Sequence, residues 1–246
     1  MFRLLKTVCG FLACTALGLL TTGCGTGGGA QVRVVNVISN NNNIALDVDV
    51  NGAKVLTVGT GAVFPSQATP VAYLGVQSGS DVIEAFDTGT TTNPLFSNVT
   101  QNFSGGSQYT LVLAGSLNNT VHPPTAFLFP DSNKSPTTGN VEFRIIDASA
   151  FTPTGGWDIY LEPGGTGING SPQISGLTYG TDGPGYVSVT DTPQITVYVT
   201  AHGNPTQLFN FTYTETNQEI TTLLGRVMGI CSHLPDIRRP AIYVSV

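Results

Sequence analysis

Beyond residue 30 the chain is written in short runs of β-branched and apolar residues, broken at close intervals by Gly, Asn, Ser, Thr and Pro. In "LDVDVNGAKVL", Val48 and Val50 alternate with Asp47 and Asp49, the period of two that a half-buried strand shows. Asn51-Gly52 then supplies the two positive-φ positions of a type I′ turn, so a hairpin is expected there. The same reading predicts strands near 32–38, 44–50, 53–58, 69–76, 81–87, 95–101 and 108–114. A second set follows near 141–147, 157–161, 173–179, 185–190, 194–200, 207–213 and 218–224, and "AIYVSV" at the end adds one more candidate strand. Long Glu-, Lys-, Ala- and Leu-rich stretches at helical spacing are absent.

The two sets are copies. "RVVNVIS" at Arg33 returns as "RIIDAS" at Arg144, and Asp47 and Asp158 each stand 14 residues after the arginine. Asn-Pro recurs at Asn93 and Asn204, and "QYTLVLAG" from Gln108 parallels "QEITTLLG" from Gln218, so the period is about 111 residues. Seven short strands per copy without helices indicate an all-β chain of two tandem immunoglobulin-like β-sandwiches. The expected organisation is a leader at 1–23, a Gly-rich tether at 24–30, sandwiches at 31–130 and 140–226 joined by a linker at 131–139, and a tail at 227–246. "TAFLFPDSNKSPTTGN" reads as the connection between the sandwiches.

The leader opens with Arg3 and Lys6 and continues into "TVCGFLACTALGLL", an apolar run of about 14 residues. A membrane-spanning helix needs roughly 20. "LTTGC" then resembles the lipobox of bacterial lipoproteins, with Thr21 where leucine is usual and Leu20 one place earlier. The resemblance implies cleavage before Cys24 and lipid attachment to its sulfur; the alternative is a secretory signal cut near Ala30. Several acyl chains make anchoring stable, and "GTGGGA" serves as a flexible tether. Gly25 rather than aspartate after the cysteine implies sorting to the outer membrane in a Gram-negative host. Cys24 and Cys231 are the cysteines left after cleavage, so no disulfide framework is expected.

Beyond residue 30 there are 15 acidic against 7 basic residues, which offers no footprint for nucleic acid. "DVDVNG" matches the first half of a calcium loop, but Val58 stands where such a loop needs a glutamate, so the hairpin reading is preferred. Catalytic patterns fail as well: His122, His202 and His233 lack ligand spacing, no Gly-x-Ser-x-Gly elbow occurs, and "GGTGING" has no phosphate-loop lysine. No enzyme, cofactor or metal is expected. Trp157, Tyr160, Tyr179, Tyr186, Tyr198 and Tyr213 crowd the second copy and, if exposed, would suit a sugar. Arg33 with Asp47 and Arg144 with Asp158 are expected to meet across a strand pair, as structural ion pairs rather than a ligand clamp.

"VRVVNVIS", "LDVDVNG", "VLTVGTGAVFP", "YTLVLAG" and "FLFPDSNKSPTTGNVEFRIIDAS" resemble the bacterial domain of unknown function 4397, over about residues 31–226. The usual pattern of that family has a histidine where Asn36 and Asp147 stand here, followed by Ala-Ser-Pro. The resemblance implies a β-sandwich and an exported location, and it implies no activity. The expected role is therefore that of a non-catalytic, lipid-anchored envelope protein in surface structure, adhesion or binding of a surface partner. A carbohydrate-binding module is the alternative, and a secreted enzyme comes third.

Overall fold

The computed structural model describes residues 28–38, 45–58, 73–132, 134–214, 220–226 and 241–245. Every regular element among them is a strand. The first eight are β1 Ala30–Asn36, β2 Leu46–Val50, β3 Ala53–Val58, β4 Leu74–Val76, β5 Gly79–Asp87, β6 Phe96–Phe103, β7 Gln108–Ala114 and β8 Thr125–Pro130. The other eight are β9 Asn140–Asp147, β10 Trp157–Pro163, β11 Ile174–Leu177, β12 Tyr186–Thr190, β13 Gln194–Ala201, β14 Gln207–Thr214, β15 Ile220–Arg226 and β16 Ala241–Ser245. Asn51 and Gly52 have φ of 53° and 75°, the left-handed pair that closes the expected β2–β3 hairpin.

Four four-stranded sheets result. Their orders are β4-β1-β7-β8 and β3-β2-β5-β6, then β12-β9-β15-β16 and β11-β10-β13-β14. The second half of the chain repeats the first strand for strand, including an unusual parallel pairing. Arg33 lies beside Thr110 in β1/β7, as Arg144 lies beside Thr222 in β9/β15. Each half thus has eight strands: "AIYVSV" is the further strand β16, and the first half has one more than the seven expected. "TAFLFP", expected as connection, is β8, paired antiparallel with β7 because Ala126 and Leu128 close the first core.

Side-chain alternation explains how the layers stack. On β1, Val32 and Val34 pack between the two sheets of the first sandwich, whereas Val35, and Val37 just past the strand, point the other way into a third apolar cluster. On β9, Val141, Phe143 and Ile145 fill the second sandwich while Ile146, and Ala148 just past the strand, join that same third cluster. β7 and β8 contribute Val112, Ala114 and Phe129 to it. The β1 and β9 sheets therefore face each other, and the strands β1 and β9 are themselves buried on both faces. That is why "VRVVNVI" and "VEFRIIDA" are apolar at odd and even positions alike. The result is a stack of four sheets with three apolar layers between them.

Candidate functional site

At one end of the third layer the apolar contacts give way to a buried ionic group. Asp131, immediately after β8, has a side chain only 1% exposed and accepts an ion pair from Arg144, whose side chain is fully buried. Arg33 Nε approaches the same carboxylate at 3.4 Å. Thr110 joins all three: its hydroxyl donates to Asp131 at 2.8 Å and accepts from Arg33 Nε at 2.8 Å and Arg144 Nη2 at 3.0 Å. One hydroxyl thus uses its single donor and both lone pairs. Tyr73 donates its hydroxyl to Asp131 at 2.6 Å, and Arg144 also holds the Pro130 carbonyl at 2.8 Å. Burial, then the bond to Asp131, pushes the Tyr73 phenol well above its ordinary range.

The arrangement is duplicated at its edges. Tyr73 continues the β1/β4 register to stand opposite Arg33, and Tyr186 is paired with Arg144. Each ring lies under its guanidinium, at 5.5 Å for Tyr73 and 5.0 Å for Tyr186. One arginine from each sandwich therefore converges on a carboxylate that both share. The start of the segment expected to be a linker is a fixed joint.

The expected pairs do not form. β1 and β2 belong to different sheets, as do β9 and β10, so Arg33 cannot meet Asp47, or Arg144 Asp158, across a ladder. Asp47 instead accepts from Lys54 Nζ at 2.8 Å, Thr57 Oγ1 at 2.7 Å and the Gly89 N–H at 3.1 Å. Those bonds, the lysine's foremost, hold its carboxyl at about 2. Asp158 does the corresponding job after β13, where Oδ2 accepts the Gly203 N–H at 2.9 Å, and its Oδ1 accepts the Gly176 N–H of β11 at 2.9 Å. Burial raises the Asp158 pKa, but His202, Gly203, Gly176 and Ser175 together outweigh it and keep the carboxyl at about 2. Both repeated aspartates tie down the turn that follows the fifth strand of their sandwich.

Around Asp158 the structure gathers a serine and a histidine that the sequence did not mark as a group. His202 Nδ1 lies 2.8 Å from Asp158 Oδ1, and Ser175 Oγ lies 3.0 Å from that oxygen and 3.4 Å from the same ring nitrogen. A nucleophilic relay needs the imidazole between the two, with one nitrogen on the carboxylate and the other on the hydroxyl. Here serine and histidine compete for one carboxylate oxygen on one side of the ring. The geometry braces a loop and gives the serine no base.

Another buried carboxyl closes the end of β9 within the second sandwich. Asp147 is 1% exposed and its Oδ1 accepts the Ser149 N–H at 2.9 Å, while Thr152 donates to Oδ2 at 2.6 Å. Burial raises its pKa to about 7 against the pull of Thr152, Ser149 and Trp157. Asn36, its counterpart on β1, makes the same turn-closing bond to the Ile38 N–H at 3.0 Å.

Among the described residues these aromatic side chains do not form a sugar platform. Trp157, Tyr160 and Tyr198 are buried, Trp157 inside the second core, and Tyr179 packs at the joint against Phe127 and the His122 ring. Tyr186 serves Arg144. The Tyr213 side chain, Cys24, the leader, Cys231 and His233 lie outside the described residues. Among the described residues no set of three or more His, Cys, Asp and Glu side chains is placed to hold a metal.

No curated protein matches the chain. Among solved structures it is similar to a streptococcal virulence factor described for alpha-glucan binding, at 9% identity over 81% of this chain and 93% of that one, with a TM-score of 0.27. It is similar to family 41 carbohydrate-binding modules from streptococcal virulence factors at 10% identity, with the same coverage and TM-score. A multi-modular glycogen-degrading pneumococcal virulence factor matches at 10% identity over 80% of this chain and 21% of that one, with a TM-score of 0.26. Residues 30–154 match the domain of unknown function DUF4397, a segment running from β1 past β9 that contains Arg33, Asp131 and Arg144. On that match over half of its length, the chain belongs to the DUF4397 family.

Proposed function

We propose that this protein is a non-catalytic lipoprotein of the cell envelope, anchored through Cys24 and presenting its sheet stack outside the cytoplasm for a structural, adhesive or binding role. The observation that carries this reading is the Asp131 joint. Buried charge between two sandwiches is used to hold them as one body, and the Asp158 group is used to brace a turn, so the polar chemistry of the described residues serves rigidity. "LTTGC" supports the anchor, and Gly25 favours the outer membrane where the host has one. Metabolic labelling with a fatty-acid analogue tests it: Cys24→Ala should lose the label and leave the membrane fraction. A labelled, membrane-bound Cys24→Ala protein contradicts the anchor.

A second reading, carbohydrate binding, draws nothing from Trp157, Tyr160, Tyr179, Tyr186 and Tyr198, which are buried or packed at the joint. It rests on a cleft at the side of the second sandwich.

A further inference from the structure

We propose that this cleft is a binding site for a single neutral sugar unit. The proposal deepens the binding role inferred above and depends on it. β11 pairs only with the first part of β10, from Trp157 to Ile159, so the second half of β10 has no neighbour on that edge. β12 is the edge strand of the facing sheet. Between them opens a cleft of about 340 Å³, at the small end of the range for ligand sites.

Its lining has two characters. Leu161, Val189 and Ile195 belong to or pack against the second core and give an apolar floor. Gln173 is exposed and Thr192 half-buried at the rim. Glu162 is the one ionisable residue of the lining, and its Oε1 accepts the Asn169 N–H at 3.1 Å. A cleft with one carboxylate and no cation repels phosphates and uronic acids. Amide and hydroxyl groups above an aliphatic floor match a molecule with hydroxyls on its edge and C–H groups on its face, as a neutral pyranose has.

An extended peptide adding to the free edge of β10 is the competing occupant, and that edge is blocked. The Leu161 N–H is already taken by Gln173 Oε1 at 2.8 Å, and Pro163 has no N–H to offer. The Gln173 oxygen is used by Leu161, and its amide nitrogen carries two further donors, of a kind suited to a sugar hydroxyl.

The test is saturation-transfer NMR and titration of the full-length protein, in a detergent without a sugar headgroup, against neutral hexoses, their disaccharides, uronic acids and an extended peptide. Neutral sugars should bind and uronic acids should not. Gln173→Ala should weaken binding about tenfold, the loss of one or two neutral hydrogen bonds. Thr192→Trp, at a half-buried lining position, should abolish it by filling the cleft. Absence of neutral-sugar binding overturns the site, and so does binding untouched by Thr192→Trp or preference for the peptide. None of these outcomes bears on the Cys24 labelling, so the failure of the cleft and the failure of the anchor are distinguishable.

Discussion

Asp131 shows how far a single residue can decide the architecture. Removing one partner of a buried ion pair strands the other without water, so Arg144→Ala should destabilise the protein by about 3–5 kcal/mol in chemical denaturation. Lys54→Ala breaks an ion pair whose lysine is 52% exposed and should cost under about 1 kcal/mol. A double-mutant cycle between Arg33 and Asp47 should show no coupling, because the two stand in different sheets. Asp147 makes a separate prediction about pH. Its folded pKa of about 7 lies above the ordinary 3.8, so the native state binds the proton more tightly. Its contribution is therefore full below about pH 4 and declines as the pH rises toward 7, by a few kcal/mol at most. Asp147→Asn, which places in β9 the residue that β1 already carries at Asn36, should flatten stability across that window. A pH profile identical to wild type would contradict it. At this scale the sequence was informative about which residues matter and misleading about whom they meet. The repeat marked Arg33, Asp47, Arg144 and Asp158, but the partner of the arginines was an unrepeated aspartate in a presumed linker. No spacing rule reveals it, because its role depends on which sheet faces which.

The strands were largely legible, since period-two alternation and Gly/Asn/Pro punctuation are local signals that burial reinforces. The β2–β3 hairpin is the sharpest case. Gly52 sits at φ 75° with open space around its Cα, so Gly52→Ala meets no atoms and only backbone strain, and should cost about 1–2 kcal/mol by thermal or chemical denaturation. A neutral result would mean the turn relaxes. β8 was missed because "TAFLFP" has Pro at its end and precedes a Ser/Thr/Asn-rich stretch, both of which read as connection. The cleft was equally invisible: it exists because β11 stops four residues short of the end of β10, and strand ends are where sequence patterns carry least information.

At the scale of the whole molecule, the facing of the β1 and β9 sheets turns two sandwiches into one stack. Gly180 shows how close the approach is, since a Cβ there would stand 2.5 Å from the Phe127 ring of the other sandwich, at φ 76°. Gly180→Val should therefore weaken the joint while leaving both sandwich cores untouched, and should split one unfolding event into two. The apolar runs of β1 and β9 held this information, because a strand buried on one face does not need apolar residues at both parities. The direct test of the account is differential scanning calorimetry of the unmodified protein, with Gly180→Val and Arg144→Ala beside it. The stack predicts a single transition whose calorimetric and van't Hoff enthalpies agree in the wild type, resolving into two in the variants. Two independent transitions in the wild type would contradict it.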